Sequence, residues 1–162
     1  MSLPLFSVSA LAFAGAMPFN GASVGTAALL LLALAPSLGS EPVPRSSTSV
    51  MVWAFMLVEL GWLYPHFLAE SFTLHYLYRA PLGVLPCPTL AAVMGLALLV
   101  HGFEARAWSS VLAVFGLFYG LFGAIRLGVA MDLLLVLGGL ILLGVVWSNE
   151  HARTAGARTA RA

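Results

Sequence analysis

Six apolar runs, each ended by proline, glycine or polar residues, constrain this chain more than any other feature of its sequence. A helix that crosses a bilayer needs about 20 apolar residues at a rise of about 1.5 Å per residue. Hydrophobic residues make up 61% of the 162 residues and charged residues only 8%, which excludes an ordinary soluble domain. We therefore predict an all-α fold, an integral membrane helical bundle of six transmembrane helices. The six runs are approximately Leu3 to Met17, Ala22 to Leu38, Ser49 to Ala69, Pro88 to Phe103, Trp108 to Ile125 and Met131 to Ser148.

The first two runs are short, and the turn formers Pro18, Asn20 and Gly21 separate them. A tight helical hairpin accounts for this pattern. A single span in place of the two gives the alternative of five transmembrane helices. In either case the connections are too short for independent folding units, so residues 1–150 are predicted to form one transmembrane bundle.

Three arginines in the last ten residues, Arg153, Arg158 and Arg161, mark residues 151–162 as a disordered basic tail. With six spans, Arg45 and Arg106 fall on the same side of the membrane as this tail. The positive-inside rule then places the C-terminus in the cytoplasm. The connection between the third and fourth runs is expected on the external side.

The lone cysteine lies in Pro86-Cys87-Pro88-Thr89, between an apolar stretch rich in proline and glycine and the fourth run. Pro88 suits a first helical turn, which places Cys87 near the N-cap. Counted from Pro88, the fourth helix spans only about 24 Å, against about 30 Å of hydrocarbon. We expect the stretch before it to be irregular chain at membrane depth, with its backbone satisfied by protein or by a water-lined cavity. Cys87 is either a reactive or ligating thiolate or a small buried residue in a rigid bend.

Glu59 lies near the middle of the third run, and His66 and Glu70 follow on the same helix side at spacings of seven and four. A carboxylate at this depth is costly, so we expect Glu59 to face the bundle interior with a partner. The stripe is interpreted as a proton or cation path or part of a metal site. The alternative is that Glu59 tightens helix packing while the other two residues are ordinary interfacial groups.

Arg126 ends the fifth run and Asp132 opens the sixth, where the helix dipole favours a carboxylate and the two side chains can pair. Both are expected on the external side. The predicted external vestibule, or ion path, therefore comprises Glu59, His66, Glu70, Cys87, Arg126 and Asp132.

A metal site is a weaker interpretation of the same region. His66, His75 and Cys87 are acceptable ligand types, but their spacing matches no tight metal motif. The cofactor content is not determined by the sequence.

Pro86-Cys87-Pro88-Thr89 after Gly83, with Gly95-Leu96 and the stretch from Leu127 to Leu133, resembles the domain of unknown function 6064 family of bacterial integral membrane proteins. The resemblance covers roughly the C-terminal 95 residues. It implies a multi-helix bundle in the bacterial inner membrane in which the proline-cysteine turn is a shared feature, and it implies no activity.

The sequence favours a non-enzymatic role, since no catalytic constellation is recognised. We predict a small transport or membrane-complex accessory protein. The alternatives are a redox, metal-binding or haem-binding membrane protein that uses Cys87 with His66 or His75, and a purely structural subunit. The expected partners are the lipid bilayer and either a second copy of the chain or a larger membrane complex; a net charge of +1 gives no indication of nucleic-acid binding.

Overall fold

A computed structural model describes residues 1–38, 46–64 and 80–159 of the chain, and all regular secondary structure in these ranges is helical. The prediction of an all-α fold is thus confirmed for this part of the protein. Single 3-10 turns, at residues 35–37, 101–104 and 130–132, flank the α-helices. The α-helices are α1 Ser2–Ala14, α2 Pro18–Ala33, α3 Thr48–Leu63, α4 Pro86–Leu99, α5 Arg106–Arg126 and α6 Leu133–Thr159.

Each of the six predicted apolar runs overlaps one of these helices, with ends that differ by several residues. Three segments are long and apolar enough to cross a membrane: Pro18–Ser37, Arg106–Arg126 and Ala130–Ser148. Helices α1, α3 and α4 are apolar but shorter, with 13, 16 and 14 residues. The membrane character of the fold is therefore supported by three helices, and six complete crossings stay a prediction.

Consecutive helices pack as three antiparallel hairpins, α1–α2, α3–α4 and α5–α6. The chain can bring the backbones of α3 and α4 close together because small residues face each other between them. A Cβ atom at Gly95 of α4 would lie 2.5 Å from the carbonyl oxygen of Ala54 in α3, and one at Gly61 would meet Pro88 at the same distance. Small residues permit this kind of close approach between membrane helices.

Helix α4 occupies the centre of the bundle and contacts α1, α3, α5 and α6. Ten of its 14 residues are buried. A helix surrounded by protein needs apolar residues on all sides, which explains why α4 shows no polar face in the sequence. Its short length, about 21 Å, is compatible with this interior position because neighbouring helices, rather than lipid, surround most of it.

Helix α2 is joined to α5 by a hydrogen bond near each end. The indole Nε1 of Trp108 donates to the carbonyl oxygen of Leu31 at 3.1 Å. The hydroxyl groups of Ser23 and Tyr119 lie 2.5 Å apart at the other end. These contacts hold the N-terminal hairpin against the rest of the bundle.

Helix α6 continues to Thr159, so it extends into residues 151–162, for which the sequence predicts a disordered tail. Residues 151–159 contain three alanines and two arginines, which are strong helix formers, beside one histidine, one glycine and two threonines, which are weaker ones. Residues 160–162 lie outside the described part of the chain.

Candidate functional site: a polar cavity at one end of the bundle

A cavity of about 400 Å³ lies where the N-terminal ends of α2 and α4 meet the C-terminal ends of α3 and α5. The connection between α5 and α6 closes one side of it. Its wall is mainly apolar, with a small number of polar groups, as is usual for small-molecule sites. The described residues that line it are Asn20, Tyr64, Leu85, Pro86, Cys87, Pro88, Tyr119, Phe122, Leu127, Val129 and Asp132.

The Pro-Cys-Pro-Thr motif forms the wall on the α4 side, and Thr89 fixes its conformation. The Thr89 hydroxyl donates to the carbonyl oxygen of Leu85 at 2.6 Å and accepts from the N–H of Gly83 at 2.8 Å. Gly83 has a φ of +79°, a conformation that glycine adopts without steric cost. The N–H groups of Val84 and Leu85 both donate to the carbonyl of Pro81 at 3.0 Å. Protein groups therefore satisfy much of this irregular backbone, as the sequence predicts.

Cys87 lies in the first turn of α4, since the helix begins at Pro86, two residues before the predicted start. Its thiol is half-buried and is within 3.9 Å of the carbonyl oxygen of Tyr119, to which it donates. The side chains of Tyr64 and Asp132 are electrostatic neighbours of the thiol. Cys87 is thus part of a polar cluster that joins α3, α4 and the α5–α6 connection.

Asp132 is the acidic group of this cluster and is only 1% exposed. It lies in the 3-10 turn that precedes α6, one residue before the helix in whose first turn the sequence places it. The hydroxyl of Tyr64 donates to its Oδ1 atom at 2.8 Å. Arg126 is exposed at the end of α5, and the predicted ion pair between it and Asp132 is not formed among the described residues.

The backbone at the end of α5 explains why Asp132 turns inward. The carbonyl oxygen of Gly123 accepts from the N–H groups of Leu127 at 3.2 Å and Val129 at 3.0 Å, which folds the chain back under the helix. Gly128 permits this reversal with a φ of +69°. Asp132 then packs against Gly123, where no side chain occupies the space that its carboxylate fills.

A second polar group lies on the α2 side of the cavity. The hydroxyl of Tyr119, a residue only 2% exposed, is 3.5 Å from Oδ1 of Asn20 and contacts the Ser23 hydroxyl. Tyr119 therefore faces α2 with its hydroxyl and accepts from Cys87 with its backbone carbonyl. It connects the two polar sides of the cavity.

Of the six predicted vestibule residues, the structure brings Cys87 and Asp132 together at the cavity. Glu59 does not take the inward position expected for it: it is exposed on α3 and is not among the lining residues, because Ala54, Leu57, Leu60 and Gly61 form the buried face of that helix. His66, Glu70 and His75 lie outside the described residues. Within the described ranges, no three His, Cys, Asp or Glu residues are arranged to hold a metal ion.

Sequence reasoning did not identify Tyr64, Tyr119 or Asn20 as lining residues. Tyrosines near the ends of membrane helices usually lie at the interface between membrane and water. This general rule gives no indication that Tyr64 and Tyr119 line a cavity. The glycines around Tyr119 in the sequence are the one feature that indicates its buried position. Gly116, Gly120 and Gly123 place small residues on the buried face of α5, and Tyr119 shares that face.

The chain was compared with known proteins in three ways. No family model matches it, and no match of significance was found among the curated proteins or the solved structures. The resemblance to the domain of unknown function 6064 family accordingly stays a prediction.

Proposed function

We propose that this chain is a small membrane transport or membrane-complex accessory protein whose solute-binding site is the cavity around Asp132. One observation carries the proposal: an almost fully buried carboxylate lines a cavity in a bundle that is otherwise largely apolar. Ionisable groups in the interior of membrane proteins are costly to bury and commonly mark the paths of ions and solutes.

The surrounding groups support this role because they orient the carboxylate. Tyr64 donates to Oδ1 of Asp132, and the Cys87 thiol is an electrostatic neighbour of the same carboxylate. A carboxylate held in this way is positioned before a solute arrives, which lowers the cost of binding.

The orientation forms part of the proposal. If the six helices alternate in direction and the arginine-rich C-terminus is cytoplasmic, the cavity opens on the external side of a bacterial inner membrane. We also propose that the chain belongs to the domain of unknown function 6064 family. The basis is the proline-cysteine turn, in which the Thr89 hydroxyl bonds to Gly83 and Leu85.

Flux through reconstituted liposomes tests the proposal. Proton and Na⁺ entry is recorded with internal fluorescent indicators under an inside-negative potential, for the wild-type chain and for Asp132→Asn. We expect the wild type to exceed protein-free liposomes and Asp132→Asn to reduce entry by roughly tenfold or more, because the amide removes the negative charge that a cation would meet.

Glu59→Gln is the matched control, since it makes the same chemical change at an exposed position on α3. We expect it to retain wild-type flux. Transport of protons and Na⁺ through the Asp132 cavity is refuted if the wild type does not exceed protein-free liposomes, or if Asp132→Asn conducts like the wild type.

A further inference from the structure

We infer that the occupant of the cavity is a small organic monocation, in which an ammonium group is joined to an apolar body. This inference rests on the proposed function, because it assigns a substrate class to the same cavity. It is argued from the size of the cavity, the charges in its wall and the positions of its aromatic rings.

The size of the cavity favours a molecule over a bare ion. Its volume of about 400 Å³ lies within the range of about 300 to 1,000 Å³ that is typical of small-molecule sites. A water molecule occupies only about 30 Å³ of liquid volume. A single dehydrated ion would leave most of the apolar wall without contacts, and unfilled apolar space forfeits dispersion energy.

The charges in the wall favour a single positive charge. Among the described lining residues, Asp132 is the only acid, and none is lysine, arginine or histidine. Ca²⁺ takes six to eight oxygen ligands, and Mg²⁺ demands a near-ideal octahedral set of oxygens. The described residues provide no such group, so a monocation matches the charge of this wall better than Ca²⁺ or Mg²⁺ does.

Three aromatic side chains line the same cavity as the carboxylate. They belong to Tyr64, Tyr119 and Phe122. The ring of Phe122 stacks on that of Phe118 at a centroid distance of 6.3 Å, and Phe118 meets Tyr119 edge-on at 5.3 Å. Aromatic faces attract ammonium groups through the ring quadrupole, and they do so even when the ammonium has no N–H to donate.

The remaining wall suits an apolar body attached to that ammonium group. The remaining described lining residues are mainly apolar: Leu85, Pro86, Pro88, Leu127 and Val129. The wall of the cavity therefore combines one acid and three aromatic rings with apolar side chains, a combination that matches an amphipathic cation.

Calorimetric titration of the full chain in lipid nanodiscs, with three probes, tests this inference. Benzyltrimethylammonium carries both the charged head and an apolar body, tetramethylammonium carries the head alone, and benzyl alcohol carries the aromatic body without charge. We expect benzyltrimethylammonium to bind roughly tenfold or more tightly than either of the others. It is the only probe of the three with both a positive charge for Asp132 and an apolar body for the rest of the wall. Equal binding of benzyl alcohol would overturn the inference.

Two variants locate the site. Asp132→Asn should weaken benzyltrimethylammonium binding by roughly tenfold or more, and Phe122→Leu by a smaller factor of roughly threefold or more, through the loss of its aromatic face. Phe122 is 36% exposed, so its substitution tests the site even if Asp132→Asn fails to fold. Glu59→Gln should bind like the wild type. Unchanged affinity in Phe122→Leu, or in a folded Asp132→Asn, would contradict the assignment.

The binding and flux experiments distinguish a wrong substrate class from a wrong transport proposal. Proton or Na⁺ flux that depends on Asp132, together with no preference for benzyltrimethylammonium, would leave the transport proposal intact and overturn the substrate class. Binding of benzyltrimethylammonium at Asp132, with no entry of protons, Na⁺ or benzyltrimethylammonium itself into the liposomes, would support the substrate class and overturn transport.

Discussion

Gly123 and Asp132 face each other across the α5–α6 contact, and the glycine determines whether the carboxylate fits. A Cβ atom at Gly123 would lie 1.8 Å from Oδ2 of Asp132, far inside van der Waals contact. Tyr64 donates to the other carboxylate oxygen, Oδ1, so a shift of the Asp132 side chain away from an added methyl group would also disturb this hydrogen bond. The geometry of the polar cluster thus depends on the absence of one methyl group.

Gly123→Ala should therefore destabilise the protein. We expect a loss of about 1 to 3 kcal/mol in the free energy of unfolding, because overpacking of a close contact costs this much and outweighs the gain of up to about 1 kcal/mol in helix propensity. Unfolding by SDS in mixed micelles measures the change.

Gly144→Ala provides the control for this substitution. Gly144 is an exposed residue of α6, and an added Cβ would meet nothing within 4 Å. This variant should be as stable as the wild type or slightly more so. If Gly123→Ala and Gly144→Ala have the same free energy of unfolding, then the close contact between Gly123 and Asp132 does not limit the size of the residue at position 123.

Two residues of the polar cluster were predictable from the sequence, and others were not. Asp132 and Cys87 were identifiable because an acid and a thiol are rare in an apolar chain. Tyr64 was not, since its role depends on a partner 68 positions away. The inward position predicted for Glu59 rested on the cost of burying charge, but the buried face of α3 is formed by the small and aliphatic residues that pack against α4.

At the scale of elements, the turn from Pro81 to Leu85 and the start of α4 form one unit that depends on Thr89. Its hydroxyl is fully buried and bridges the N–H of Gly83 and the carbonyl of Leu85. The sequence predicted an irregular entry to a short helix from its prolines, whose effect on the backbone is local. The bridging role of Thr89 was not predicted, because it depends on contacts four and six residues apart.

Thr89→Val preserves the shape of the side chain but removes both hydrogen bonds. We expect it to lower the free energy of unfolding by about 1 to 3 kcal/mol, because the Gly83 N–H loses its acceptor. Cys87, at the start of the same helix, should also react faster with a small maleimide as the turn loosens.

Thr89→Ser retains the hydroxyl and loses one methyl group, which costs about 0.8 kcal/mol. Its Cys87 should react at the wild-type rate. Equal reactivity in the valine and serine variants would show that the bridge does not hold the turn.

At the scale of the whole molecule, the antiparallel hairpins place alternate connections at opposite ends. The cavity end contains the α1–α2 and α5–α6 connections, and the other end contains the 3-10 turn after α2 and the α4–α5 connection. The number and order of helices follow from apolar runs and their breaks. Their complete passage through a bilayer does not, because α1, α3 and α4 are shorter than the usual span.

Single cysteines in a Cys87→Ser background test this topology in intact cells. We expect a cysteine at Gly128 to react with a membrane-impermeant maleimide, and one at Ser37 to react only after permeabilisation, because an odd number of crossings separates them in the six-span arrangement. Blocking by a permeant reagent beforehand controls for access. Reaction of both positions from outside would contradict the arrangement.

The two polar links between α2 and α5 have a consequence for biosynthesis. Trp108 binds a carbonyl 77 positions earlier in the chain, and Tyr119 binds a hydroxyl 96 positions earlier. The α1–α2 hairpin is therefore synthesised well before Trp108 and Tyr119. Until α5 is synthesised, the α1–α2 hairpin has neither of these links, and it depends on contacts such as the hydrogen bond from the Ser9 hydroxyl to the Gly21 carbonyl.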